Sequence, residues 1–68
     1  MTHFIEGLEV TLDNVGSPVT YIPNHANGDV NHKDCERGVL SSFNDFTVFV
    51  RFKAPNGASC KTENLVWG

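Results

Sequence analysis

The sequence predicts an all-β domain in which five to six short antiparallel strands roll into a small barrel, with one long loop. Three observations lead there. Residues 46–53, Phe-Thr-Val-Phe-Val-Arg-Phe-Lys, combine β-branched and aromatic residues with a polarity period of two, the pattern of a half-buried strand. Turn-forming residues punctuate the chain at Gly16-Ser17-Pro18, Pro23-Asn24, Asn44-Asp45 and Asn56-Gly57 and separate short strand candidates, as in sandwiches and barrels. A helix competes over residues 3–12, but Gly7 sits in its middle and the apolar residues there alternate.

Taken in order, Leu8-Glu9-Val10-Thr11-Leu12 alternates strictly and predicts a strand, with Phe4 and Ile5 as a candidate earlier start and Asp13-Asn14-Val15-Gly16 as the following turn. Val19–Ile22 reads as a strand entered through Gly16-Ser17-Pro18 and ended by Pro23-Asn24. Gly38–Ser42 is the next strand, and Asn44-Asp45 turns it into the 46–53 strand as a hairpin. On that strand Val48, Val50 and Phe52 share one face, and Thr47, Phe49, Arg51 and Lys53 share the other, which leaves Phe49 apolar on a polar side. Ala54-Pro55-Asn56-Gly57 then predicts a turn, Ala58–Lys61 a strand that pairs back, and Thr62–Leu65 a single 3₁₀ turn that drops Leu65 onto the core. Val66-Trp67 supplies a short closing strand. The predicted core is Ile22, Val39, Val48, Val50, Phe52 and Leu65. A sheet closed on itself would hide the edges that invite aggregation.

With 68 residues and 7.5 kDa the chain is read as one domain, residues 1–68, with a small core. Five Lys and Arg against eight Asp and Glu give a net charge of −3, so no broad basic face is available to neutralise a phosphate backbone. No apolar run approaches bilayer length, and Met-Thr-His-Phe-Ile-Glu-Gly-Leu-Glu-Val lacks the basic start of a signal peptide, so a cytoplasmic protein is expected. Cys35 and Cys60 are too few for a stapled secreted fold and are expected to be thiols.

The most informative stretch is the loop of about fourteen residues from Pro23 to Glu36, longer than compact domains usually leave without a purpose. It holds two of the three histidines, one of the two cysteines and three of the eight acids. Asp29 and Asp34 are expected to bond nearby backbone N–H groups in Asx-turns, with Gly28 in a left-handed conformation. His25, His32 and Cys35 are permissible zinc ligands, with Cys60 as a fourth if its strand passes beneath the loop. The paired Cys-x₂-Cys knuckles of a specific zinc signal are missing, so no metal or other cofactor is expected. The acids beside Cys35 would raise its thiol pKa, which opposes a nucleophilic role. A His-Asn-His nuclease needs a ββα metal scaffold that these strands do not provide. No catalytic residues are assigned, and the chain is read as a non-enzyme.

Val19-Thr20-Tyr21-Ile22-Pro23-Asn24-His25-Ala26-Asn27-Gly28-Asp29, followed by His32, Asp34-Cys35-Glu36, Gly38-Val39, Ser41-Ser42, Asn44-Asp45 and Val48-Phe49-Val50, resembles a group of small phage and prophage proteins of unassigned function. The resemblance covers residues 18 to 66, and its specific part is the phrase Pro-x-His-Ala-x-Gly-Asp-x-x-His-x-Asp-Cys-Glu-x-Gly at 23–38. It implies an SH3-like barrel, with residues 1–16 as an added N-terminal strand segment, and a phage accessory protein rather than a chemistry. In such a barrel the long connection arches over one side, where peptides or small ligands bind. The expected contact residues are Tyr21, Asn24, His25, Asp29, Asn31, His32, Asp34, Phe49 and Trp67, with Phe46 as a further aromatic. A host protein in the host cytoplasm is the expected partner. A small ligand or nucleotide signal held by His25, Asn31 and His32 is the alternative, and weak nucleic-acid binding through Lys33, Arg37, Arg51, Lys53 and Lys61 is a third.

Overall fold

Alternation and turn chemistry place most of the strands. A computed structural model describes residues 2–53 and 57–68, and there the chain forms β1 (Phe4–Ile5), β2 (Leu8–Glu9), β3 (Pro18–Tyr21), β4 (Glu36–Phe43), β5 (Val48–Arg51), β6 (Gly57–Cys60) and β7 (Leu65–Trp67). Three 3₁₀ turns complete it, at Leu12–Asn14, Asn24–Ala26 and Thr62–Asn64. The architecture is all-β, with one more strand than the upper end of the predicted count. Of the turn expected over residues 54–57, residues 54–56 lie outside the described residues and Gly57 begins β6. No helix among the described residues is long and apolar enough to cross a membrane.

Strands β3 to β7 make one antiparallel sheet in the order β6-β5-β4-β3-β7. The β4–β5 turn is fixed by Asn44, whose Oδ1 accepts from the backbone N–H groups of Phe46 (2.8 Å) and Thr47 (3.0 Å). This is the local bonding that makes asparagine a turn residue. The last strand returns beside the first of this sheet, with Tyr21 opposite Leu65 and Val19 opposite Trp67. Thr20, buried on β3, is satisfied there by donating from its hydroxyl to the Gly68 carbonyl at 2.8 Å.

The predicted barrel does not close. Strands β6 and β7 end the sheet on its two sides, and no ladder joins them among the described residues. The N-terminal hairpin β1–β2 forms a separate two-stranded sheet, and β1 packs against β7 and the 3₁₀ turn at Thr62–Asn64. Ile5 from this hairpin is fully buried, and Val10 just after it is nearly so, so the N-terminal segment adds side chains to the core of the five-stranded sheet. Trp67 fastens the arrangement: its indole N–H donates to the Ile5 carbonyl at 2.8 Å, and its backbone N–H donates to Glu6 Oε1 at 2.7 Å. The hairpin turns on Glu6 (φ 51°) and Gly7 (φ 80°), two consecutive positive φ values matching the right-handed twist of the strands.

The strand predicted over 8–12 is a correction. Only Leu8 and Glu9 pair in a strand, because Asn14 Oδ1 accepts from Thr11 N–H (2.8 Å) and the Thr11 hydroxyl (3.1 Å), winding Leu12–Asn14 into a 3₁₀ turn. Val39 is a second correction: it is 42% exposed, whereas its neighbour Leu40 is fully buried. The inward face of β4 carries Gly38 and Leu40, and a bulge between Leu40 and Ser42 resets the register before Phe43. The core is Ile5, Val10, Val19, Leu40, Val48, Val50, Cys60 and Leu65, flanked by Tyr21, Phe43, Phe52 and Trp67. Ile22, Val48, Val50 and Leu65 are buried as expected, and Phe52 is half-buried at the margin.

Candidate functional site

The 23–36 connection is built from turns. Pro23, with φ −64°, leads into the 3₁₀ turn Asn24–Ala26, whose Ala26 faces inward at 4% exposure. Asn27 (φ 52°) and Gly28 (φ 80°) then reverse the chain in the left-handed region, as expected for Gly28. Backbone bonds three residues apart carry it onward: Asp29 N–H to Ala26 O (3.0 Å), His32 N–H to Asp29 O (3.1 Å) and Cys35 N–H to His32 O (3.1 Å). Asp29 Oδ1 accepts from Asn31 N–H at 2.9 Å, the Asx-turn its residue type predicts. The loop is also tethered to the body. Asn64 Nδ2 donates to Asn24 Oδ1 (2.7 Å) and to the Ile22 carbonyl (2.9 Å), while Ile22 N–H donates to Asn64 O (2.7 Å).

These turns bring together three residues that lie up to nine positions apart. His25 Nε2 and Asp34 Oδ2 are 2.6 Å apart, and His32 Nδ1 stands 3.9 Å from the same oxygen. The two imidazoles meet edge to face, with ring centres 5.3 Å apart. His32 Nδ1 also accepts the Asp34 backbone N–H at 3.0 Å. The side chains of His25 and Asp34 are open to solvent, while that of His32 is only 28% exposed. The expectation that the Asp34 carboxylate bonds backbone is thus replaced by a bond to His25.

The cysteines are placed differently from the set that the sequence allows for zinc. Cys35 directs its thiol to the Asp29 carbonyl at 3.2 Å, bracing the loop. Cys60 belongs to the core, and burial, followed by the nearby Glu36 charge, pushes its thiol pKa up. Both are free thiols. The β6 strand does pass beside the end of the loop, since Cys60 and Asp34 line the same cleft, but the third member of the histidine cluster is Asp34 rather than a cysteine.

Two clefts open at the end of the loop and share Glu36 and Phe52, and one of them includes Asp34. One, of about 330 Å³, is lined by Tyr21, Asp34, Glu36, Phe52 and the β6 residues 58–60; the other, of about 440 Å³, by Cys35, Glu36, Arg37, Phe52 and Lys53. Tyr21 and Phe52 stack edge to face at 6.4 Å and form an aromatic wall. Of the expected contact residues, His25, His32 and Asp34 converge, Asn24 is tied to Asn64, and Asp29 and Asn31 shape the turn. Tyr21 borders the cleft. Phe49 lies mid-strand on β5 opposite Ser42 and Ser59, on the face away from Val48 and Val50, and Trp67 holds β7 to the N-terminal hairpin. Phe46 is 89% exposed in the Asn44 turn. Sequence reasoning missed Phe52 and Glu36 as cleft residues; the strand alternation that signals a core position does not distinguish the middle of a core from its rim.

No protein-family model, curated protein or solved structure matches the chain.

Proposed function

We propose that the protein is a non-catalytic binding module, a phage accessory factor that engages a host protein in the host cytoplasm through the 23–36 loop and the cleft beside Tyr21 and Phe52. One observation carries this reading: a long connection that could have been slack is instead held by consecutive turns and by Asn64, while it keeps His25, Asp34 and Asn31 at the surface. Pre-ordering a polar surface removes the entropy that a partner would otherwise have to overcome. The Cys35 thiol bonds the Asp29 carbonyl rather than an imidazole, so it is not arranged as an activated nucleophile.

A small-ligand reading draws on the aromatic wall of the 330 Å³ cleft. That volume is at the lower end of what small-molecule sites occupy, about 300–1,000 Å³, and suits a single inserted side chain as well as a free ligand. Nucleic-acid binding is disfavoured by the charge of −3.

The test is quantitative affinity capture from host lysate with the wild type and with the double variant His25→Ala/His32→Ala, alongside thermal melts. A species held by the wild type and lost by the double variant, with a melting shift of no more than a few degrees, supports the reading. Equal capture by both proteins overturns it. A native mass spectrum of the protein taken from cells reveals a small ligand directly.

A further inference from the structure

We propose that His25, His32 and Asp34 form a binding site for a divalent first-row cation of the zinc class. Each of the three offers one ligand atom, and these atoms all lie within 4.8 Å of one another. Two imidazole nitrogens and one carboxylate oxygen form a donor set that favours borderline cations such as Zn²⁺, Co²⁺ or Ni²⁺ over Mg²⁺ and Ca²⁺, which prefer oxygen alone.

The geometry is close to what such an ion needs. Ligand atoms about 2.0–2.1 Å from a tetrahedral centre stand roughly 3.3 Å apart. The His25–Asp34 separation of 2.6 Å opens by about 0.7 Å to admit an ion, the 3.9 Å between His32 Nδ1 and Asp34 Oδ2 closes by about 0.6 Å, and the two imidazole donors, within 4.8 Å of each other, close by at most about 1.5 Å. Rotation of the two exposed side chains covers such changes, and the backbone that carries them is already fixed by the turns from Ala26 to Cys35. The ion takes the place of the His25–Asp34 hydrogen bond and, if it binds His32 through Nδ1, of the Asp34 N–H bond to that nitrogen. Three protein ligands leave coordination positions open, and Asp34 also borders the Tyr21–Phe52 cleft, so a donor atom of a molecule in that cleft can complete the shell. This site is independent of whether the loop binds a protein, because the ion is measured without any partner.

The experiment uses untagged, chelator-stripped protein titrated with Zn²⁺ by calorimetry in a non-coordinating buffer, with Co²⁺ absorption as a second readout. The expected result is one Zn²⁺ per chain, with affinity reduced at least ~30-fold in both His25→Ala and Asp34→Asn and changed less than ~3-fold in His3→Ala. His3 bonds the Asn44 carbonyl in a different turn and serves as the control histidine. Asp34→Asn keeps the shape of the side chain, and circular dichroism of each variant confirms that the fold persists. The Co²⁺ complex should show visible d–d bands without the near-ultraviolet thiolate charge-transfer band. Absence of one-to-one binding, unchanged affinity in His25→Ala and Asp34→Asn, or a thiolate band that brings Cys35 into the shell overturns the assignment.

Discussion

Gly38 is the position where the fold leaves no room for any side chain. A Cβ added there would stand 2.7 Å from the Arg51 carbonyl oxygen, 2.7 Å from Val50 Cγ1 and 2.8 Å from Phe52 Cδ1. Ordinary contact begins at 3.4 Å, so all three must retreat by about 0.6–0.7 Å. Val50 is fully buried, and the Arg51 carbonyl moves only if the β5 backbone moves with it. Overpacking of this kind costs about 1–3 kcal/mol, and the backbone entropy that alanine removes from the unfolded chain returns about 0.4–1 kcal/mol. Gly38→Ala should therefore lose about 1–2 kcal/mol out of the roughly 3–10 kcal/mol expected for a domain this small. That corresponds to a melting temperature lower by about 4–16 °C. Gly57→Ala is the matched control, since its added Cβ meets only the Val50 carbonyl, at an ordinary 3.6 Å. Urea denaturation followed by Trp67 fluorescence measures both. A Gly38→Ala midpoint equal to or above that of the wild type would refute the close approach of β4 and β5.

Three further outcomes follow from burial, backbone and thiol chemistry. Val50→Asp places a carboxylate at a position with no solvent exposure, at a cost of several kcal/mol, and circular dichroism at neutral pH should show an unfolded chain. Gly28→Val meets no neighbour within 4 Å but must hold φ near 80°, so chemical denaturation should show a loss of about 1–2 kcal/mol from backbone strain alone. Maleimide labelling followed by mass spectrometry should modify half-buried Cys35 first, with Cys60 reacting only as the chain unfolds. Because the Cys60 thiol holds its proton to higher pH in the folded state, its contribution to stability is complete below the usual thiol range and is lost as pH rises from that range through the raised folded-state value, which melts at successive alkaline pH values would show.

The β4–β5 hairpin was legible because two signals agreed there: alternation across residues 46–53, of which Val48–Arg51 pair as β5, and the bonding habits of Asn44. Alternation misled at residues 8–12, where Leu8 is 54% and Leu12 81% exposed and Val10 alone of the three apolar positions reaches the core, so the pattern did not report a continuous core-facing side. The competing signal was present in Thr11-Leu12-Asp13-Asn14, a short capping pattern that winds a turn. Val39 and Leu40 are adjacent apolar residues, and their sequence gives no parity to choose between them; Gly38, pressed on its inward side against Val50 and Phe52, and the bulge after Leu40 decide it. At the site, the three members of the histidine cluster were visible as residue types. Their meeting was not, because it depends on the left-handed pair Asn27 and Gly28 folding His25 back toward Asp34, a long-range consequence of two dihedral angles.

Amide hydrogen exchange across residues 24–35, read residue by residue by NMR, tests most directly whether the loop is an ordered recognition surface. Ala26, Asn27, Asp29, His32 and Cys35 donate their backbone N–H groups to carbonyls within the loop, and Asn31 and Asp34 donate theirs to the Asp29 and His32 side chains. The account predicts slowed exchange at these amides, above all at buried Ala26, relative to His25, Val30 and Lys33 in the same loop, whose N–H groups make no such bond among the described residues. Exchange at free-peptide rates throughout residues 24–35 would contradict it.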